Sequence, residues 1–260
     1  MLFLFIQRTS AYNTLWMRLD KKIITKTINI DRKNPKTVEQ LFKRHDKERE
    51  KENLGFGWKI WQTGLSGGYI SIKATFYYLH DSIMSYTITP QLPDEPELIE
   101  KYKKWYCDKF QYSSTCILPF NYNEENILRP LTEYNGKLTV QTAPEKLLKY
   151  MSPKSGTMYG YAGGYGGHLL QNRKSFLQIK DSLSIEQVIF LMYSINPASR
   201  LTAIEYYFKH KDSFSSLPFL NVWIEKNFTE LPTVLTLFGC IGEQQSTRFL
   251  VQLYSSQTEQ

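Results

Sequence analysis

The sequence has few cysteines, and they lack the spacing by which cysteine and histidine hold a structural metal. Its 260 residues include Cys107, Cys116 and Cys240 and no Cys-x-x-Cys pair. A structural zinc site is therefore disfavoured. Cys107 and Cys116 are close enough in sequence to form a disulfide across a short loop, but spacing alone does not show that their Cβ atoms meet. That pairing stays open, and Cys240 would be left as a free thiol.

The short motifs that mark common catalytic and phosphate-binding sites are also missing. The chain contains no G-x-x-x-x-G-K-[ST] loop, no His-Glu-x-x-His, no Gly-x-Ser-x-Gly and no EF-hand loop. It has no G-x-G-x-x-G between a strand and a helix, which disfavours a dinucleotide site. These absences favour a protein that binds over one that catalyses, and we expect no cofactor and no metal.

Long apolar runs are lacking as well, so no transmembrane helix is predicted. A short apolar run, residues 1–6, is followed by Thr9, Ser10 and Ala11, small residues of the kind that signal peptidase prefers. The basic residues that open a signal peptide are missing, and the run is short for one. Residues 1–11 are therefore either the end of a signal peptide or a buried first strand. A secreted or periplasmic location and a cytoplasmic one both stay open.

The positive charge of the chain is concentrated in its first quarter. The net charge is +7, and residues 1–60 hold fourteen Lys and Arg against seven Asp and Glu, whereas residues 61–260 hold eighteen of each. A nucleic-acid site needs basic residues massed on one face, with aromatic residues that stack on bases. The basic cluster within residues 18–36 is accompanied by no nucleic-acid motif. We interpret it as a solvated surface and expect no nucleic-acid partner.

Alternation of apolar and polar residues predicts an antiparallel sheet in the N-terminal half. Residues 22–30 and 58–63 have strand patterns. Residues 69–79 and 82–89 alternate in the same way on either side of the dipeptide His80-Asp81. Two long strands joined this closely are predicted to form an antiparallel hairpin.

Helix signals occur on both sides of this strand pattern. Thr37 and Gln40 have capping-box spacing, so a helix is expected to begin at Thr37. A second helix is expected with Asp94 as its cap, followed by an apolar stripe at helical spacing that ends at Phe110. Such a stripe is typical of core packing, and it is assigned no function.

The second half of the sequence is mainly helical in pattern. Ser184 and Gln187 form a capping box, and Asn196 followed by Pro197 begins the next helix, so an αα-hairpin is predicted. Further helices are expected at residues 144–151, 217–228 and 247–254, and strands at residues 137–141 and 233–240.

These patterns predict an α+β fold with two portions. Residues 1–125 contain the antiparallel sheet with a helix packed on it, and residues 126–260 are mainly helical. The two portions are expected to pack as one compact body.

One segment differs sharply in composition from the rest of the chain. Residues 156–167 hold six of the fourteen glycines, interleaved with Tyr159, Tyr161 and Tyr165, and His168 follows. Glycines in such numbers permit positive φ or a close approach of the backbone to another group. The segment is therefore a structural connection, a loop that binds a ligand, or a surface for self-association through tyrosine.

The Gly/Tyr segment is the best candidate for a binding site. Tyr159, Tyr161 and Tyr165 would supply aromatic faces and hydroxyl groups to a ligand, and His168 and Arg173 would supply polar anchors. The leading hypothesis is a non-catalytic binding or interaction protein that uses this loop to contact an unidentified protein or small molecule.

A second hypothesis assigns catalysis to Cys240 and His168. An imidazole beside a thiol can hold it as a thiolate, which is the nucleophile of cysteine-dependent hydrolases and transferases. The sequence does not show whether the two side chains lie close together.

Overall fold

In a computed structural model, residues 14–45, 50–102, 119–214 and 217–257 are described, and within them a five-stranded antiparallel sheet is accompanied by helices. The predicted α+β class is confirmed. Within the same ranges, no helix is both long and apolar enough to cross a bilayer. Three predictions fall outside the described residues: the N-terminal segment 1–11, the Cys107–Cys116 pair and the last part of the apolar stripe that ends at Phe110.

The chain divides into two compact units. Unit 1 comprises the described residues among 1–50, 61–76 and 86–122, and unit 2 comprises those among 51–60, 77–85 and 123–260. The division of the chain near residue 125 stays a prediction.

The large sheet has the strand order β1-β2-β3-β4-β5, so neighbours in the sheet are also neighbours in the sequence. His80 and Asp81 connect β3 to β4 with φ angles of 46° and 67°, the positive values that a two-residue type I′ turn requires. The strands are β1 Glu52–Gly55, β2 Trp58–Ser66, β3 Ser71–Leu79, β4 Ser82–Gln91 and β5 Phe120–Tyr122.

Unit 1 contains the first helices of the chain: α1 Thr14–Asn29, α2 Pro35–Lys43 and α3, described over residues 96–102. The helix expected near Thr37 is α2, but Asn34 caps it, because the Asn34 side chain accepts a hydrogen bond from the Thr37 backbone N–H at 3.3 Å. Pro35 occupies the first turn, where the fixed φ of proline suits a helix.

The strand predicted at residues 22–30 is wrong, because these residues lie in α1 and the turn after it. The isoleucines and threonines of the segment alternate as in a strand. They also place Ile23, Ile24 and Thr27 on one helical face, and that face is buried. A short run of β-branched residues fits both the alternation of a strand and the 3.6-residue period of a helix. Here a tertiary contact decides in favour of the helix.

That contact is made by Asp20, a fully buried carboxylate on the same face of α1. Asp20 accepts hydrogen bonds from the backbone N–H groups of Gly68 at 2.6 Å, Tyr69 at 3.1 Å and Ile70 at 3.3 Å. The Tyr102 hydroxyl donates to the same carboxylate. Because a buried carboxylate requires donors on several sides, Asp20 fixes α1 against the connection between β2 and β3.

Unit 2 is built mainly from helices. They are α4 Glu125–Leu128, α5 Glu145–Met151, α6 Gln171–Leu177, α7 Ile185–Leu191, α8 Pro197–Lys209, α9 Phe219–Glu230 and α10 Thr247–Ser256. Two small antiparallel sheets accompany them, β6 Ala162–Gly163 with β7 His168–Leu169, and β8 Thr233–Phe238 with β9 Ile241–Ser246.

Two of the predicted helix starts in this unit are confirmed. The Ser184 side chain accepts from the Gln187 N–H at 3.2 Å, and the Gln187 side chain accepts from the Ser184 N–H at 3.1 Å, which is a complete capping box at α7. Asn196 caps α8 by accepting from the Ala198 N–H at 3.1 Å, with Pro197 in the first turn.

The strand predicted at residues 137–141 is wrong, because this segment forms turns before α5. The Thr139 backbone N–H donates to the Thr142 hydroxyl at 2.9 Å, and the Thr139 carbonyl accepts from the Ala143 N–H at 2.8 Å. Threonine side chains offer the backbone such local hydrogen bonds in competition with sheet pairing.

Helix α8 lies at the centre of unit 2 and is buried along most of its length. Arg200 is fully buried, and its guanidinium donates to the carbonyls of Ser194 at 2.6 Å and Leu54 at 2.8 Å. Burial lowers the pKa of Arg200 to about 9, so the side chain still carries its charge at neutral pH. Its hydrogen bonds to backbone carbonyls join β1 to the segment that precedes α8.

We expect Asp20→Ala to lower the free energy of unfolding by about 2 kcal/mol, because the buried and half-buried backbone donors of the β2–β3 connection would lose their acceptor. Urea denaturation followed by circular dichroism measures the change. Glu50→Ala removes an exposed carboxylate from the same unit and should leave the midpoint unchanged. Equal midpoints for the two variants would contradict the role of Asp20.

Candidate functional site

The Gly/Tyr segment folds into a small hairpin that leads into α6. Ala162 pairs with Leu169, and Gly163 pairs with His168. A Cβ atom at Gly163 would lie 2.6 Å from Leu237 Cδ2, so glycine is needed for β6 to approach β8 this closely. Gly164 begins the turn with a φ of 78°. Close packing and a tight turn therefore account for these two glycines without a ligand.

The five predicted ligand contacts lie in two places. Tyr159 and Arg173 are buried, and Tyr161 beside them is 39% exposed. Tyr165 and His168 belong to the hairpin, where both are exposed, Tyr165 to 99%. The structure thus brings Tyr159, Tyr161 and Arg173 together and leaves the other two at the surface.

Arg173 and Glu205 form a buried ion pair, with side chains 4% and 3% exposed. Arg173 Nη1 donates to Glu205 Oε1 at 3.1 Å, and Nη2 donates to Oε2 at 2.5 Å. Arg173 Nε donates to the Gly160 carbonyl at 3.1 Å, which ties α6 to the Gly/Tyr segment. A planar guanidinium suits this two-point contact with a carboxylate.

Glu205 has two further partners. The Tyr159 hydroxyl donates to Oε2 at 3.1 Å, and Lys209 Nζ lies 3.2 Å from Oε1, one helical turn further along α8. A single carboxylate therefore contacts two cations and a hydroxyl donor. This arrangement satisfies its charge inside the protein, where an unpaired carboxylate would be costly.

The same carboxylate affects the ionisation of its neighbours. Burial, and then the charge of Glu205, raise the pKa of Tyr159 well above its ordinary value, so the phenol stays neutral. Burial alone would lower the pKa of Arg173, but the hydrogen bonds and charge of Glu205 outweigh burial and raise it. Arg173 is therefore a permanent cation.

Beside this ion pair is a cavity of about 420 Å³. Tyr161 forms one wall, α6 and α8 form others, and α10 with the residues after it completes the lining. Four aromatic rings face the space, and they belong to Tyr161, Phe176, Tyr206 and Tyr254. Its volume falls within the range typical of small-molecule sites.

The charged residues of the cavity are unbalanced. Arg173 and Lys209 line it together with the carboxylate that both contact, Glu205, so this group carries one net positive charge, and Lys180 belongs to the same lining. Within the described residues, Arg173 uses three of its five N–H donors, on Glu205 and Gly160. The cavity thus combines surplus positive charge, hydrogen-bond donors and aromatic walls.

Comparison of the chain with protein-family models, curated proteins and solved structures found no match. Function is therefore inferred from the geometry and charge of the cavity. Over the part of the chain that the structure describes, no three side chains of His, Cys, Asp or Glu are grouped so that they could hold a metal ion.

Cys240 and His168, the residues of the catalytic hypothesis, are both exposed. Cys240 lies in the turn between β8 and β9, and His168 lies in β7. The two hairpins meet where the Gly164 N–H donates to the Gly239 carbonyl at 2.5 Å. Across the described ranges no hydrogen bond joins the thiol to the imidazole, and neither side chain lines the cavity. The pair stays a prediction.

Sequence patterns did not point to Glu205, although the cavity depends on it. Glu205 lies within the apolar stripe of α8, where a helical pattern suggests core packing. Arg173 could have indicated that such a carboxylate exists elsewhere in the chain, because no acidic residue occurs between Pro153 and Gln178 to pair with it. A buried arginine must then find its carboxylate in a distant element.

We expect Glu205→Gln to lower the free energy of unfolding by about 3–5 kcal/mol, because it leaves the buried Arg173 charge without a counter-charge. Thermal and urea denaturation measure the loss. The double variant Arg173→Met/Glu205→Met should recover most of it, since both charges are then removed.

Glu225→Gln is the matched control for this substitution. Glu225 makes the same two-point contact with Arg248, at 2.8 and 2.5 Å, but both side chains are exposed to water. Its replacement should change stability far less. A loss at Glu225 as large as that at Glu205 would show that burial is not the reason for the effect.

Alkaline pH is expected to destabilise the fold. Burial raises the pKa values of Tyr77, Tyr150 and Tyr159, while an unfolded chain releases tyrosine protons near pH 10. Above that pH the folded state holds more of these protons, so the free energy of unfolding falls as pH rises. Arg200 has the opposite effect on stability. Because burial lowers its pKa to about 9, this group raises the free energy of unfolding as the pH rises above 9, but it is a single group opposed by three tyrosines.

Tyrosinate absorbance followed together with circular dichroism tests this expectation. Part of the tyrosinate signal should appear only as the helices unfold. Complete ionisation of all eighteen tyrosines near pH 10 in a protein that is still folded would contradict it.

Proposed function

We propose that the protein is a non-catalytic binding protein whose ligand is a small organic anion with a planar ring. The observation that carries this proposal is the cavity of about 420 Å³, which is lined by four aromatic rings and by the group of Arg173, Lys209 and Glu205 with its one net positive charge. Sites for small molecules typically combine largely apolar walls with a few polar groups that fix orientation.

The charges of the wall support an anionic ligand. Glu205 is already satisfied by Arg173, Lys209 and Tyr159, so it offers little to an incoming cation. Arg173 retains N–H donors, and a carboxylate, sulfonate or phosphate group is the complementary acceptor. An anionic ligand would also offset the net positive charge of the group formed by Arg173, Lys209 and Glu205.

The aromatic rings support a planar group next to that anion. Tyr161 lies with its ring centre 5.4 Å from the Arg173 guanidinium carbon, so a ring placed against Tyr161 would lie beside the cation. Stacking on tyrosine adds to the burial of apolar area. In this proposal the Gly/Tyr segment contributes Tyr161 to the ligand, whereas its other tyrosines have different roles.

Binding of the aromatic sulfonate 8-anilinonaphthalene-1-sulfonate, compared with its uncharged analogue N-phenyl-1-naphthylamine, tests the proposal. The sulfonate should bind at one site and about ten-fold more tightly than the amine, the factor expected for one charged hydrogen bond. Fluorescence titration of the folded protein measures both affinities.

Variants then locate the probe. Tyr161→Ala and Lys209→Glu should each weaken sulfonate binding by about ten-fold or more. Tyr165→Ala removes a tyrosine of the same segment that is exposed outside the cavity, and it should leave binding unchanged. Equal affinities for the two probes, or equal losses at Tyr161 and Tyr165, would rule out the cavity as the site.

A further inference from the structure

The hydroxyl of Tyr254 lacks a hydrogen-bond partner in the part of the chain that the structure describes, although the residue is almost fully buried. Tyr254 is 8% exposed and lines the cavity. Its ring packs edge-on against Tyr159, with the ring centres 5.7 Å apart, so the ring is held while the hydroxyl stays unbonded. Buried tyrosine hydroxyls usually find a partner. A ligand in the cavity would supply one.

Gly160, in the Gly/Tyr segment, shows where this hydroxyl lies. A Cβ atom built on Gly160 would be 3.5 Å from the Tyr254 hydroxyl oxygen and 3.0 Å from the Thr236 hydroxyl oxygen. The carbonyl of the same glycine accepts a hydrogen bond from Arg173 Nε at 3.1 Å. The Tyr254 hydroxyl and the Arg173 guanidinium therefore lie at the same end of the cavity.

The two hydroxyls beside Gly160 differ in their access to the cavity. Thr236 is fully buried, does not line the cavity and has no hydrogen-bond partner among the described residues. Because Thr236 does not accept from Tyr254, the proton of the tyrosine hydroxyl is available to another acceptor. This end of the cavity thus offers two kinds of donor, the charged N–H groups of Arg173 and the neutral O–H group of Tyr254.

We propose that Tyr254 determines which planar anions the cavity accepts, by donating a hydrogen bond to a ring hydroxyl next to the acidic group of the ligand. This inference rests on the proposed function and narrows the ligand class to aryl carboxylates with an adjacent hydroxyl. In such an acid the hydroxyl proton bonds to the neighbouring carboxylate, so the hydroxyl oxygen is an acceptor for Tyr254. The carboxylate would accept from the remaining N–H groups of Arg173.

The charge of the wall favours one acidic group with a neutral neighbour. Arg173, Lys209 and Glu205 together carry one net positive charge, which a single carboxylate balances. The donor that Tyr254 adds beside them is uncharged, and a neutral oxygen is a sufficient acceptor for it. A ring that carries one carboxylate and one hydroxyl on neighbouring carbons combines both acceptors in one plane.

Three naphthoates that differ only in a hydroxyl test the proposal. They are 2-naphthoate, 3-hydroxy-2-naphthoate, with the hydroxyl next to the acid, and 6-hydroxy-2-naphthoate, with the hydroxyl at the far end of the ring system. Calorimetric titration measures their affinities, and competition with 8-anilinonaphthalene-1-sulfonate shows that they share its site. The 3-hydroxy compound should bind about five-fold more tightly than the other two, the factor for one neutral hydrogen bond.

Two variants assign this preference to a residue. Tyr254→Phe removes the hydroxyl and keeps the ring, so 2-naphthoate and 3-hydroxy-2-naphthoate should bind to it with equal affinity. Thr236→Val is the matched control, because it removes the other hydroxyl beside Gly160 from a residue that does not line the cavity. The preference of about five-fold should remain in that variant. The comparison of the three naphthoates in the parent chain does not depend on the folding of either variant.

The outcomes separate this inference from the proposed function. Equal affinities of the three naphthoates in the parent chain would overturn the inference and leave the cavity as a site for planar anions. A preference that survives Tyr254→Phe, or that is lost equally in Tyr254→Phe and Thr236→Val, would overturn it as well. If no naphthoate binds and Tyr161→Ala leaves binding of the sulfonate unchanged, the cavity is not the site and both proposals fail.

Discussion

The carboxylate of Glu205 sets the arrangement of unit 2. It lies on a helix that is buried along most of its length, where a charge must have partners, and those partners come from α6, from the Gly/Tyr segment and from the next turn of α8. Arg200, on the same helix, takes its acceptors from β1 and from the segment before α8. Because these groups cannot be buried alone, the elements that satisfy them are fixed in place, and the cavity is a product of that arrangement.

Unit 1 follows the same physical rule with a different chemistry. Asp20 is satisfied mainly by backbone N–H groups, whereas Glu205 is satisfied by cations and a hydroxyl. A carboxylate held by backbone donors fixes a turn and leaves no charged side chain for a ligand. One held by arginine and lysine leaves a cationic wall. This difference explains why the candidate ligand site is associated with Glu205 and not with Asp20.

Local signals predicted much of the fold and little of the site. The capping box at Ser184 and the Asn196-Pro197 start depend on hydrogen bonds within a few residues, so they can be read from sequence. Residues 22–30 fit both the alternation of a strand and the period of a helix. The helix is decided by Asp20, which accepts hydrogen bonds from the β2–β3 connection about fifty residues further along the chain. The Arg173–Glu205 pair spans 32 residues, and no local pattern shows which carboxylate an arginine will meet. Tyr161 and Arg173 were identified because an abrupt change in composition marked their segment.

The two-point contact between Arg173 and Glu205 also has an evolutionary consequence. Replacing either residue alone leaves a buried charge, so the intermediate between one acceptable pair and another is less stable than both. The two positions should therefore covary among related sequences, as arginine with an acid or as two uncharged residues. Relatives that keep the pair would retain a cationic cavity, and relatives that exchange both residues would have changed what the cavity can hold.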